Sequence, residues 1–238
     1  MTNWLIEEPA DPHAVARSVV LGEALGRGAA DAQTNPSVAL RLHDVLIHNN
    51  KKWLDLVGGA DIRLDAVVVQ GNVMEINPAA AYVPATMRFA GIGDGDHLPS
   101  DEYGMLLYYG FPKHFLDISI IVSRDSRDSD DLAVTLAKEM NSGAMKGTMS
   151  ALLGMTVSNP TAAAVTAAIG AAATISNLAY KIVRNVSGNT IGMYRGSRLA
   201  YPDSFGAGRN PSDGSSYRKG DISFWYDVVI GSAVHDPT

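Results

Sequence analysis

The sequence predicts a mainly β protein, an antiparallel sandwich carrying an α-helical insertion. Three observations lead there. Apolar residues alternate at period two in well-separated runs: Ile62, Leu64, Ala66 and Val68, then Leu116, Ile118, Ile120 and Val122, then Ile222, Phe224, Tyr226 and Val228. That period places one side of a strand against a core. Such runs occur in both halves of the chain, which favours an antiparallel sandwich over a parallel sheet of βαβ units. Between residues 129 and 187 the pattern changes to helical spacing, without a single charge from Gly147 to Tyr180.

Taken in order, Asp11-Pro12 offers an N-cap carboxylate followed by a proline, whose missing N–H costs nothing at the first helical position. Val15, Val19 and Gly22 to Leu25 continue at helical spacing until Gly26 and Gly28, so a helix is expected over 12–30. Thr34-Asn35-Pro36 then serves as a linker. The chain thus divides into an N-terminal helix with linker, 1–36, and a sandwich, 37–238. Val38, Leu40 and Leu42 begin the first strand of the sandwich, and strands are expected at 62–70 and 115–123. Pro78, Pro84, Gly91, Gly93, Gly95 and Pro99 supply the turns between them.

The insertion, at about 129–187, reads as a helical hairpin. Ser129 caps a first turn containing Asp130 and Asp131, whose charge suits the positive end of a helix dipole. Leu132, Val134 and Leu136 follow. Asn159-Pro160 signals a second start, and Lys181 and Arg184 sit in the last turn before Ser187-Gly188. Val165, Ala168, Ala172, Ile175, Ala179, Ile182 and Val186 form a narrow seam of mostly small residues, suited to close packing against another helix. Thr161 to Tyr180 has the length of a bilayer span, about 20 residues. Its nine alanines, three threonines, serine and asparagine leave few large apolar groups, so a soluble hairpin is expected in preference to a membrane span. Tyr201 to Lys219, rich in Gly, Ser, Pro and Asp, reads as a long surface connection.

Composition excludes several classes of function. With 19 Lys and Arg against 25 Asp and Glu, the net charge is −6, which disfavours nucleic acid and purely electrostatic attraction to anionic lipid. The absence of cysteine excludes disulfides, thiolate metal sites and cysteine nucleophiles. The first residues lack the basic and apolar regions of a secretory signal, so a cytoplasmic location is the default expectation, with leaderless export compatible. No nucleophile elbow, Walker loop or His-Glu-x-x-His motif is present, and no enzymatic activity is expected.

Two acidic clusters carry the strongest chemical signal. Asp55 and Asp61 are six residues apart around Gly58 and Gly59, which let the loop fold back on itself. Ser123, Asp125 and Asp131 lie in Ser-Arg-Asp-Ser-Arg-Asp-Ser-Asp-Asp. A sandwich that brought the two segments together would assemble an oxygen-rich site, and calcium takes about 6–8 oxygen ligands on flexible loops. The first cluster, followed by a strand, resembles the first calcium loop of C2 domains. Ser123-x-Asp125 followed by Asp130-Asp131-Leu132 resembles their third loop. The resemblance covers roughly residues 38–132, a little under half of the chain. It implies a C2-like antiparallel β-sandwich with Asp55, Asp61, Asp125 and Asp131 as calcium ligands, and Ser123 at a position where the family usually has an aspartate. Arg124 lies among these ligands and Ile62-Arg63 replaces the usual Pro-Tyr.

The expected function is therefore a non-enzymatic, calcium-binding C2-like module that engages a phospholipid membrane or a protein partner through its acidic loops or its hairpin. Two alternatives stand beside it. One is a structural, self-assembling homo-oligomer with the Ala/Gly-rich hairpin as interface, and the other a toxin-like protein whose hairpin inserts conditionally into a membrane. Gly93-Asp94-Gly95-Asp96-His97 reads as a solvated turn rather than a second cation loop. His43 and His48, five apart on a strand, are expected on opposite faces.

Overall fold

A computed structural model describes residues 36–51, 59–71, 81–126, 132–153, 161–187, 189–200 and 203–231. The helix expected at 12–30 lies outside the described residues. Among the described residues, nine strands form two antiparallel sheets. Sheet A runs in the order β4 (Met105–Gly110), β1 (Val38–Ile47), β9 (Ile222–Ile230) and β7 (Gly208–Asn210). The short β8 (Tyr217–Lys219) also pairs with β9. Sheet B runs β3 (Tyr82–Ile92), β2 (Ala60–Gln70), β5 (Phe115–Arg124) and β6 (Thr190–Leu199). The three alternating runs of the sequence are therefore β2, β5 and β9. The segment expected as a bare surface connection contributes the short strands β7 and β8, whose backbone groups extend the ladder of β9.

The even-numbered apolar residues of β2 and β5 meet Leu40, Leu42, Phe224, Tyr226 and Val228 of sheet A in one buried core. Burial of a Val, Leu, Ile or Phe side chain is worth about 1.5–3 kcal/mol, so this core is the main force joining the two sheets. A second core lies on the other face of sheet B. There Val67, Val69, Phe115, Ile121 and Leu199 pack against helices. Both faces of β2 and β5 are thus covered, and every residue of β5 from Phe115 to Ser123 is buried.

The helices among the described residues lie between β5 and β6 in sequence, where the insertion was expected, but they number three rather than two. They are α1 (Leu132–Met140), α2 (Lys146–Leu153) and α3 (Ala162–Val186). Asn141, Ser142 and Gly143 break the first helical stretch, and Gly143–Met145 forms a short 3-10 turn before α2. The N-cap of α3 is Thr161, not Asn159, because the Thr161 hydroxyl accepts the N–H of Ala164 at 3.2 Å. Its C-cap is Ser187, as the sequence indicates.

The small-residue seam of α3 faces inward. Val165, Ala168, Ala172, Ile175 and Ala179 are all buried in the core shared with sheet B, α1 and α2. Alanine at these positions lets the helix axis approach the sheet closely, and Ser176 reaches the sheet directly. The seam therefore packs against a sheet as well as helices of the same chain. By length and hydropathy Ala163–Val186 matches a membrane span, yet the packed side of the helix is the one the seam defines.

A β-bulge in β1 corrects the placement of the histidines. Pairing with β9 shifts between His43 and Leu46, where Asp44 takes a positive φ of 55°. The extra residue restores the parity of the strand, so His43 beside Trp225 and His48 beside Ser223 lie on the same outer face of sheet A.

Candidate functional site

Several places in the fold carry polar or exposed chemistry. The first is the rim of sheet B where the two acidic segments meet. Asp61 begins β2 and Asp125 follows β5, and the backbone N–H of Asp125 donates to the Asp61 carbonyl at 2.8 Å. The antiparallel pairing of β2 with β5 produces this contact, since it sets Ile62 opposite Arg124. The Asp61 carboxylate accepts the N–H of Gly91 at 3.3 Å, and the Asp125 carboxylate is paired with Arg88 Nε at 3.1 Å. Ser123 is fully buried on the helix side of β5, opposite Arg63, and its hydroxyl has no hydrogen-bond partner among the described residues. Asp55 and Asp131 lie outside the described residues. Among the described residues, no three His, Asp or Glu side chains are grouped closely enough to hold a metal ion.

The turn at 93–97 is tied down by its own acids. Asp96 accepts the N–H of Gly93 at 2.7 Å and Asp94 accepts that of Asn50 at 2.7 Å. These carboxylates organise a turn, as the sequence suggests.

The second place is the covered face of sheet B, where sequence alternation suggested nothing. Asp117 is fully buried and receives Arg195 side-on, Nε at 3.0 Å and Nη2 at 2.6 Å. Ser197 donates to the same carboxylate at 2.5 Å, and Ser176 of α3 donates at 3.2 Å while accepting from Ser119 at 2.7 Å. Further along, Arg63 and Asp65 form a wholly buried two-point pair at 2.6 and 2.9 Å, joined by Thr86 at 2.6 Å. Low dielectric strengthens such contacts, and their geometry satisfies groups whose burial unpaired would be costly. These are internal locks rather than open sites: the first ties sheet B to α3 through Ser176, and the second joins β2 to β3. Their sequence signal was Arg63 and Asp65, two apart in β2, and Asp117 in the middle of an apolar run in β5.

The third place is the outer face of sheet A. His43 stacks on Trp225 with ring centroids 4.0 Å apart, and Arg209 lies over the same indole at 4.1 Å. The His43 ring also meets the Asp227 carboxylate at 3.1 Å. Beyond Arg41, which is aligned with Leu106 and Asp227, the face carries apolar side chains. Tyr109 is aligned with Ala39, and Ala39 with Val229. Tyr109 also touches Phe111 edge-on, with centroids 6.1 Å apart. Among the described residues, five of the six exposed large apolar side chains lie on or beside this face: Tyr103, Leu106, Tyr109, Phe111 and Val229.

Between the sheets, a phenol cluster surrounds Arg198. Its guanidinium donates to Tyr226 at 2.8 and 3.0 Å, to Tyr217 at 3.1 Å and to Asn210 at 2.9 Å. Burial pushes the Tyr226 and Tyr194 phenols above their ordinary range. Burial does the same to Tyr108, whose hydroxyl is bound to Gln70.

No protein-family model matches the chain, and neither does any curated protein or any solved structure.

Proposed function

We propose that this chain is a structural, self-assembling protein without enzymatic activity, and that the outer face of sheet A, against which no helix packs among the described residues, is its contact surface. One observation carries the reading. The helices of the chain seal the outer face of sheet B, whereas exposed apolar side chains concentrate on and beside the outer face of sheet A. Contiguous exposed apolar surface of this kind marks interaction sites in soluble proteins. The hairpin interface suggested by the sequence is less favoured than this face, because the α3 seam is buried within the chain. Sedimentation velocity of the full chain across a hundredfold concentration range tests the reading. A rising sedimentation coefficient is expected, and a monomer at every concentration removes the idea.

A second reading is favoured by the contact between Asp125 and Asp61. It is a C2-like module that binds calcium at this rim and then engages a phospholipid membrane or a protein. Asp61, Asp125 and, by the resemblance, Asp55 and Asp131 would supply carboxylates, with Ser123 at their edge. Arg88 opposes it, since its charge already compensates Asp125. A ligand present at 100 times its dissociation constant stabilises by about 2.7 kcal/mol. A melting temperature unmoved by millimolar calcium removes this second reading and leaves the first intact.

A further inference from the structure

We infer that Arg198 anchors a carboxylate-binding site at one side of the sandwich, between β6 of sheet B and the β7 and β8 strands of sheet A. Such a site stands or falls independently of self-assembly. Tyr194, Gly196 and Arg198 are two apart in β6 and so share the face turned toward sheet A. A Cβ at Gly196 would overlap the Tyr194 hydroxyl. Gly206, at a φ of 72°, closes over the arginine stem, and a Cβ there would stand 2.9 Å from Cδ and 3.0 Å from Nε. Glycine at these two positions leaves the room in which the guanidinium and the phenols meet.

Charge balance sets this arginine apart. Arg63, Arg88 and Arg195 each meet a carboxylate, of Asp65, Asp125 and Asp117 respectively. Among the described residues, Arg198 meets only phenols and an amide. Burial pushes the Tyr194 and Tyr226 phenols up, so both stay protonated at neutral pH and neither becomes a counter-ion. A half-buried cation without an opposite charge is unfavourable, and a bound anion offsets that cost.

The hydrogen bonds show a matching surplus of donors. Nε and Nη2 are taken up by Tyr226, Tyr217 and Asn210. Nη1 has no partner among the described residues and keeps contact with solvent. The Tyr194 hydroxyl lies 3.1 Å from that of Tyr226 and also bonds that of Tyr217. Two phenol contacts place two of the three phenol protons, and the third has no acceptor within the cluster. The site therefore offers the Nη1 donors and one hydroxyl around a single positive charge. A carboxylate, with two acceptor oxygens and one negative charge, matches both. A phosphate dianion would exceed the charge that one guanidinium offsets, in a chain already at −6.

The test uses the full chain, with acetate and benzoate as probes, benzamide as the uncharged control and inorganic phosphate as the other anion, all at constant ionic strength. Tyrosine ultraviolet difference spectra report on the cluster directly. Both carboxylates should perturb them saturably, with a dissociation constant on the order of 1 mM for ligands of this size, and benzamide should not. Tyr217→Phe keeps the ring and removes only the hydroxyl, and should weaken benzoate binding about fivefold. Arg198→Lys keeps the charge and loses the fork, and should weaken it about tenfold or more. Circular dichroism checks that each variant is folded; if Arg198→Lys is not, the wild-type spectra and Tyr217→Phe decide the matter. A wild type with no saturable response, an equal response to benzamide, or benzoate binding unchanged in a folded variant overturns the site. Phosphate bound more tightly than acetate overturns its assignment to carboxylates.

Discussion

Arg195 on β6 and Asp117 on β5 meet in a two-point ion pair beneath α3, with the carboxylate fully buried and also receiving Ser197 and Ser176. One carboxylate therefore gathers two strands and the long helix. Removing it leaves a half-buried guanidinium and two hydroxyls without this acceptor. Breaking one side of a buried pair costs about 3–5 kcal/mol, and Arg195 keeps some access to solvent, so the lower end applies. Asp117→Ala should lower the urea midpoint accordingly, and Ser197→Ala by about 1 kcal/mol. An unchanged midpoint for Asp117→Ala would show that the lock contributes nothing.

Ile175 is at the centre of the α3 seam and fully buried against sheet B. A charge there has no partner and no route to water. Ile175→Glu should destabilise the fold by more than about 4 kcal/mol, the range of unpaired buried charges. Gel filtration and circular dichroism distinguish the outcomes. Loss of structure is expected, whereas a folded, dissociated species would mean that the seam is an interface between chains.

Alkaline pH should unfold the protein through its buried phenols. Burial raises Tyr108, Tyr194, Tyr226 and Tyr82 above the ordinary value near 10. A group with a raised folded pKa holds its proton more tightly when folded. Its contribution to stability is thus present below the unfolded pKa, about 10, and is lost as pH rises above it. Absorbance at 295 nm during a pH titration should show these phenols ionising together with the loss of circular dichroism. Their ionisation in a still-folded chain would contradict the assignment.

Asp44 has a φ of 55° at the bulge of β1 and meets His97 at 2.8 Å across an exposed surface. The exposed ion pair contributes little, whereas the left-handed backbone is costly for a β-branched side chain. Asp44→Val should cost about 1–2 kcal/mol and Asp44→Gly should be neutral or stabilising, read as melting temperature. Equal values for both variants would mean that the bulge is not fixed by this residue.

Strand alternation made the β class, the positions of β2, β5 and β9, and the inserted helices legible. Alternation reports local periodicity, and these strands and α3 are long enough to express it. It said nothing of residues 63–69 and 115–123 at odd positions, which the structure also buries. A strand whose second face is covered by helices looks the same in sequence as one whose second face is wet, except for an occasional charge. Arg63, Asp65 and Asp117 were those charges, and Arg195 became recognisable as a partner only through the pairing of β5 with β6. The bulges escaped notice for a related reason: one extra residue shifts parity without altering composition, so the shared face of His43 and His48 was not visible.

By itself the chain of residues determined the period of each element, the place of the insertion and the segments bearing carboxylates, all of which depend on neighbours a few positions apart. Only the tertiary structure decided which sheet the described helices cover, where the exposed apolar side chains gather, and that Asp125 meets Arg88 as well as Asp61. Those outcomes depend on contacts between distant segments, where the energy of burial and charge pairing is settled by what lies opposite rather than by what lies adjacent.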